Sequence, residues 1–185
     1  MTEQRSFAPP LVIGVVADTH VYPNGHRKLP QEVPSLFRRF GVGLILHAGD
    51  ANTLSVVRDL GAVAPVIAVT GNNDDAEMFH AVPEEAWFDV GRFRFGLVHG
   101  HGGSSARADA KRRFAGKVDF GVYGHSHVPK VEKVGETVLF NPGSPTERRW
   151  NPHFGIGVIT VTATSLRPEL ILFDDPRALD GIAPQ

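Results

Sequence analysis

The sequence predicts an α/β fold in which two β-sheets pack on one another. Three features carry that expectation. Short runs rich in Val and Ile alternate with helix-compatible segments through the first two-thirds of the chain, the pattern of strands joined by crossovers. After Gly124 the helical segments stop and strand-like runs follow one another directly. No linker or composition break separates the two regions, which favours two packed sheets over two domains.

In chain order, buried strands are read in "LVIGVVA" from Leu11, "VGLILHA", "PVIAVT", "RFGLVHG" and "DFGVYG", each closed by Gly, Asp, Asn or His. Helices are read in "QEVPSLFRRF" from Gln31, "ANTLSVVRDL" from Ala51, "DDAEMFHAV" from Asp74 and "SSARADAKRRFAG" from Ser104. The later runs "VPKVEKV", "TVLFNPG", "FGIGVITVTAT" and "LRPELILFD" read as a meander or second sheet. An exposed strand such as "FGIGVITVTA" would offer an edge for pairing between subunits, so a homo-oligomer is a possible assembly. The whole chain, 1–185, is expected to be one domain with its core at about 11–173 and a peripheral tail from Asp174.

Composition narrows the function classes. Of the residues, 42% are hydrophobic and 21% charged, ordinary values for a globular chain. Lys and Arg number 19 against 20 Asp and Glu, so no global positive field points to nucleic acid or an anionic membrane. The chain has no cysteine, which excludes disulfides, thiolate metal sites and cysteine nucleophiles. The N-terminal "MTEQRSFAPP" is polar and broken by proline, and the apolar run after it is too short to span a bilayer. A cytoplasmic location is the expectation.

The strand endings hold the chemistry. They read "ADTH" (17–20), "AGDAN" (48–52), "TGNND" (70–74), "VHGHG" (98–102) and "YGHSH" (123–127). Each sets an oxygen or imidazole donor just past an apolar run, and ligands of α/β sheets bind beyond the carboxyl ends of the strands. Asp18 and His20, like His125 and His127, are two apart, so extended backbone would turn both side chains of each pair to one side. Gly49, Gly71, Gly100, Gly102 and Gly124 keep bulk away from an ion or anion. Each ending alone also fits an ordinary turn or cap. A buried charge needs a partner, and convergence of the five endings would supply one.

These blocks resemble the calcineurin-like metallophosphoesterases, and among them the small bacterial and archaeal phosphodiesterases of the YfcE type. The family pattern of Asp-x-His, Gly-Asp, Gly-Asn with a nearby acid, a lone His and Gly-His-x-His stands here as "DTH", "GD", "GNND", "VHGH" and "GHSH", over about Leu11 to Arg167. The resemblance implies a four-layer α-β-β-α sandwich of two mixed sheets and two divalent metal ions. One ion would take Asp18, His20 and His127, the other Asn72, His99 and His125, with Asp50 bridging. Carboxylate, amide and imidazole donors suit Mn, Fe, Ni, Zn or Co, with Mn the expectation.

The implied activity is hydrolysis of a small or nucleotide-like phosphodiester by a metal-bridging hydroxide, with Asp50, Asn73 and Asp74 as catalytic residues. Asn73 departs from the family's larger protein phosphatases, which carry a His there; an amide hydrogen-bonds phosphate but is no general acid. Asp74 would cap the following helix or orient a metal ligand. Asn73, His101 and Arg148 are the candidate substrate contacts; in the turn "NPGSPTERRW", which resembles a family turn near the metals, both Arg148 and Arg149 could reach a phosphate with guanidinium geometry suited to bidentate contacts. His47 reads as a packed strand residue, His26, His80 and His153 as surface residues, and Lys111, Arg112, Arg113 and Lys117 as a solvated helix face. A phosphomonoesterase, a nuclease and a scaffold like the retromer subunit of this fold are the alternatives; the complete ligand set favours catalysis.

Overall fold

A computed structural model of the chain describes residues 5–184; residues 1–4 of the polar N-terminal segment and residue 185 lie outside the described residues. In chain order the elements are β1 (Arg5–Phe7), β2 (Leu11–Val16), α1 (Glu32–Arg39), β3 (Leu44–His47), α2 (Leu54–Gly61), β4 (Val66–Ala68), α3 (Ala76–Ala81), β5 (Glu85–Val90), β6 (Phe93–Val98), α4 (Ala106–Phe114), β7 (Phe120–Tyr123), β8 (Lys130–Val134), β9 (Thr137–Asn141), β10 (Phe154–Val161) and β11 (Leu166–Phe173), followed by a 3₁₀ helix over Pro176–Gly181.

One sheet runs in the order β1-β5-β6-β7-β9-β8 and the other β11-β10-β2-β3-β4. Both are mixed. In the first, β6, β7 and β9 are parallel while β5 and β8 run against their neighbours β6 and β9. In the second, β2, β3 and β4 are parallel and β10 is antiparallel to both β2 and β11. Between the sheets, Ile13, Val15, Leu44 and Leu46 meet Phe88, Phe95, Phe120 and Phe140. Because successive strand residues face opposite ways, Val16 and Ile45 turn to the outer face, where they pack with Leu36 and Phe37 of α1 and Val56 and Leu60 of α2. On the far side, Ala110 and Phe114 of α4 cover Val98, Tyr123 and Leu139. The result is the four-layer α-β-β-α sandwich of two mixed sheets that the resemblance implies.

Glycine sets how closely helix and sheet approach. A Cβ on Gly14 would stand 2.8 Å from the Phe37 ring, and one on Gly96 2.4 Å from that of Phe114. Each ring therefore occupies the space that a side chain on the strand would fill. Local chemistry fixes the helix starts: Asp75 caps α3 by accepting from Met78 N–H at 2.9 Å, and Ser105 caps α4 by accepting from Ala108 N–H. Helix α2 begins at Leu54 rather than Ala51, since residues 51–53 remain in a buried loop beside the strand ends. The basic face of α4 is partly paired, Arg113 reaching both Asp109 and Glu85.

Four expectations need correction. Strand β5 went unread although Ala86, Phe88 and Val90 alternate inward, a period-two signal. Strand β1 is three residues paired with β5 through backbone, too short for any period to show. The later strands do not form their own sheet: β8 and β9 extend one sheet and β10 and β11 the other. Strand β10 lies between β11 and β2, so both its edges are paired and it offers none to a second subunit.

The tail is not merely peripheral. Leu179 is fully buried against the α1 side of the molecule, and Arg39 donates to its carbonyl. One apolar anchor among polar turn residues is a weak sequence signal, yet it closes the end of the outer core. Leu179→Ala should destabilise the fold by about 2–5 kcal/mol, the range for emptying a buried leucine site. Urea unfolding measures it, and a loss within 0.5 kcal/mol, the usual range of a surface substitution, would show that the tail adds no core.

Candidate metal centre

The carboxyl ends of β2, β3, β4, β6 and β7 meet at one end of the sandwich, and their loops carry the donors. Asp18, His20 and His127 form one group, and Asp50, His99 and His125 a second; in each group one ligand atom per residue lies within 4.8 Å of the others. The convergence does not come from extended backbone. Asp18, His20, Asp50, Asn52, His125 and His127 all adopt left-handed φ between 46° and 74°, a region that costs non-glycine residues energy and persists where the surroundings hold it. Asp18 and His20 still join one group, but His125 and His127 separate into two, because the chain past each strand turns rather than continuing the pleat.

The loops are locked together by their backbones. Asp18 N–H donates to Gly49 O, and His20 N–H to Asp50 O, both at 3.0 Å, zipping the β2 and β3 endings. Across the sheets, His125 N–H donates to Asp18 Oδ1 at 3.1 Å. The Asn141–Ser144 turn lies under the same loops: Ser144 Oγ donates to Asp18 O at 2.7 Å, and Asn141 Nδ2 to Gly124 O at 2.9 Å. The family-like turn is thus part of the site's floor.

Hydrogen-bond partners fix the imidazole tautomers. His20 Nδ1 faces Asn52 Oδ1 at 3.1 Å, and His127 Nδ1 faces the Glu147 carbonyl. Both acceptors require Nδ1–H, which leaves bare Nε2 lone pairs. Those two Nε2 atoms face one another at 3.1 Å. Similarly, His99 Nδ1 faces Ala48 O at 2.8 Å while its Nε2 stands 3.2 Å from both Asp50 Oδ2 and His125 Nδ1. Lone pairs aimed at lone pairs and carboxylates repel unless a cation lies among them. Asp18 Oδ2 is also buried without a hydrogen-bond partner. The donor set therefore fits divalent metal, with nitrogen and oxygen ligands and no thiolate.

Electrostatics point the same way. Burial pushes the Asp18 carboxyl up to about 8, against the attraction of His99 and Arg149. Burial lowers His20, and lowers His127 to about 4, so both imidazoles are neutral ligands near pH 7. For Asp50, burial would raise the pKa, but the His99 hydrogen bond and charge and the Asn73 donors win, and the carboxyl is held far below its usual range. His99 is raised despite burial, through Asp50 and Asp18.

Asp50 is the pivot. Its Oδ2 lies 3.2 Å from His99 Nε2 and 3.7 Å from His20 Nε2, within reach of both groups. Asn73 holds it from outside, N–H to Oδ1 at 2.8 Å and Nδ2 to Oδ2 at 2.7 Å. The Asn73 side-chain amide thus donates to Asp50 while the residue itself stays exposed. A Cβ on Gly71 would stand 2.1 Å from Asp50 Oδ1, so only glycine lets this loop close on the carboxylate.

Asp74 is neither helix cap nor a group that faces the cluster. Its oxygens accept from Asn52 N–H at 2.6 Å and Gly71 N–H at 2.7 Å, tying the β3 and β4 loops together, while Asp75 does the capping. Both of its oxygens are thus engaged by loop backbone. Asn72 is exposed beside Asn73, more open than the buried or half-buried Asp and His residues. His101 is exposed on the rim, its ring centre 5.5 Å from that of His99. Arg148 turns away: it donates to Pro152 O at 2.6 Å and lies over the Phe154 ring. Its contacts along the turn thus differ from those of Arg149. His47 is a packed strand residue, bonded to Thr19 Oγ1 and lowered by burial to about 3. Asn52 and Glu147 orient two imidazoles; they lie in the stretches "AGDAN" and "NPGSPTERRW", but the sequence assigns neither a role.

A four-layer sandwich with paired His/Asp groups at the carboxyl ends of its strands defines a metallophosphoesterase-type protein. The chain belongs to the calcineurin-like phosphoesterase superfamily, whose domain matches residues 11–164. It is 34% identical over 165 residues to a probable metallophosphoesterase of Methanothermobacter thermautotrophicus, covering 87% of this chain and 92% of that protein. It is likewise 34% identical to phosphodiesterase YfcE of Escherichia coli K12, over 64% of this chain and 74% of the other. In structure it is similar to a Vps29 variant from Entamoeba histolytica, with a TM-score of 0.70 at 24% identity, covering 89% of this chain and 100% of that one; this likeness concerns the fold.

Because folding raises the Asp18 pKa, the metal-free protein binds a proton there that the unfolded chain releases, and this group's contribution weakens stability as pH rises from about 4 to about 8. A divalent ion at Asp18 must displace that proton. Metal affinity should therefore rise over the same range, with protons released on binding at pH 7. Calorimetry in buffers of different ionisation enthalpy measures it; affinity that does not change with pH would contradict the protonated Asp18.

Proposed function

We propose that this protein is a dinuclear metal-dependent phosphodiesterase acting on a small or nucleotide-like diester. Asp18, His20 and His127 would hold one divalent ion, Asn72, His99 and His125 the other, with Asp50 between them and Mn the favoured metal. The reading rests on Asp50, one buried carboxylate within reach of both imidazole groups. Family membership supports the phosphoesterase class, and the names of similar proteins support the diester. Bound ions in such a site neutralise phosphoryl oxygens and activate water at neutral pH.

The chain's own groups supply position and protonation state. Neutral His20 and His127 keep Nε2 free because Asn52 Oδ1 and Glu147 O hold the opposite protons. Asn73 fixes the plane of the Asp50 carboxylate with two hydrogen bonds, so the pivot cannot rotate away. Neither Asn73 nor Asp74 is free to give a proton to a leaving group, and His101 is the rim imidazole nearest His99.

Chelator-stripped protein should not hydrolyse an aryl phosphodiester and should recover with Mn²⁺ or a similar ion. Asp50→Asn should cost more than the roughly 10–100-fold typical of losing an outer partner of a ligand, with reduced metal content by elemental analysis. Normal turnover with two ions bound would remove Asp50 as the bridge. With no committed general acid, rates should fall steeply from nitrophenyl to alkyl leaving groups, since a positioned acid contributes about 10²–10⁴-fold. A flat dependence of rate on leaving-group pKa would assign the proton to another group, with His101→Asn the variant to measure next.

A further inference from the structure

The turn from Glu147 to Trp150 carries a charge and an aromatic ring that the metal centre does not use. Arg148 is spent on Pro152 O and Phe154. Arg149 is not: among the described residues it has no carboxylate within ion-pair distance, and its charge acts on Asp18, His125 and His127. Arg149 thus enters no ion pair among the described residues, and Glu147, two residues before it, lies 3.8 Å from His20 Nε2, which sets its turn at the first metal group. Its backbone is left-handed, φ 52°, a conformation that arginine adopts only when held. Asn151 holds it, donating from N–H to Arg148 O at 2.9 Å and from Nδ2 to Arg148 O at 2.9 Å and His127 O at 2.8 Å. The turn is thus bonded to a residue of the first metal group.

Trp150 comes next and is 97% exposed. An indole carries a large apolar face that ordinarily finds cover, and this one is left open on a turn pinned to His127. Tyr22, two residues past His20, and Val128, one past His127, are also about half exposed, at 51% and 45%. Apolar surface thus occurs on the loops that carry the first metal group, and Trp150 directly follows a cation that enters no ion pair among the described residues. A phosphate bearing a planar ring is the ligand that uses both.

We propose that Arg149 and Trp150 form a substrate clamp, the guanidinium binding a phosphate oxygen and the indole stacking on a planar base, so that the diester is nucleotide-like. The inference rests on the phosphodiesterase reading and names its substrate class. Guanidinium suits phosphate by its fixed fork of donors, and stacking on an aromatic side chain tolerates any base. Arg149 is then a substrate-binding residue, and Asn151 positions it.

The test uses the Mn²⁺-loaded protein and three ligands that need no turnover: inorganic phosphate, ribose 5-phosphate and adenosine monophosphate, titrated by calorimetry. Arg149→Ala should weaken all three by about tenfold, as loss of a charge-assisted contact does, with Arg149→Lys recovering part. Trp150→Ala should leave phosphate and ribose 5-phosphate unchanged and weaken adenosine monophosphate by on the order of tenfold, with Trp150→Phe keeping most of the affinity. In a Trp87→Phe background, adenosine monophosphate should quench indole fluorescence and ribose 5-phosphate should not. Metal content and thermal midpoint, measured for each variant, verify the fold. Unchanged phosphate affinity in Arg149→Ala overturns the anchor, and an unchanged ratio of adenosine monophosphate to ribose 5-phosphate affinity in Trp150→Ala overturns the platform. Failure of the wild type to hydrolyse diesters overturns the phosphodiesterase reading instead, because the titrations do not depend on hydrolysis.

Discussion

The structure turns on a concentration of electron pairs at one end of two sheets. Asp50 reaches the His99 side at 3.2 Å and the His20 side at 3.7 Å, and the Nε2 atoms of His20 and His127 point at each other. Burial removes the water that would otherwise separate these groups. Burial pushes the Asp18 carboxyl up to about 8, and the hydrogen bond and charge of Asp50, with the charge of Asp18, raise His99 despite its burial. A divalent cation relieves the repulsion, because one positive centre serves several donors.

Holding such a cluster takes backbone in conformations that the residues would not choose. Six non-glycine residues of these loops have left-handed φ, and each is compensated by bonds between loops rather than within them. Asp18 N–H pairs with Gly49 O, His125 N–H with the Asp18 carboxylate, and Ser144 Oγ with Asp18 O. Asp74 joins the β3 and β4 endings from behind. The sandwich core supplies the rigid base: β2 is packed on both faces, Val15 between the sheets and Val16 under the helices, and this close packing holds its carboxyl end in place. Site precision thus derives from the inter-sheet packing of Ile13, Leu46, Phe95 and Phe120.

Much of this was legible in the chain. Apolar runs ending in Asp or His announced both the strands and the donors, and alternation with helices announced the crossovers. Elements with weak side-chain period escaped: β1 is three residues long, and the fate of β8 to β11, divided between sheets, depends on long-range pairing that no local pattern encodes. Among site residues, Arg148 and Arg149 are indistinguishable in sequence, and only the folded turn sends the one to Pro152 O and leaves the other in no ion pair among the described residues. Asp74 and Asp75 are alike in the same way. Asp75 reaches Met78 N–H and caps the helix, while Asp74 faces inward to Gly71 and Asn52.

The sequence by itself determined the kinds of donor, their attachment to strand ends and the exclusion of thiolate chemistry, because residue type and hydrophobic period are local properties. The motif resemblance implied which donors share a group; tertiary structure alone supplied the left-handed loop turns that part His125 from His127 and decided which of two neighbouring arginines bonds back to its own turn. Those outcomes depend on the turn of each loop past its strand and on hydrogen bonds between segments up to 128 residues apart, such as Thr146 Oγ1 to Asp18 O. Distances across folded layers are set by packing, and sequence spacing carries no record of them.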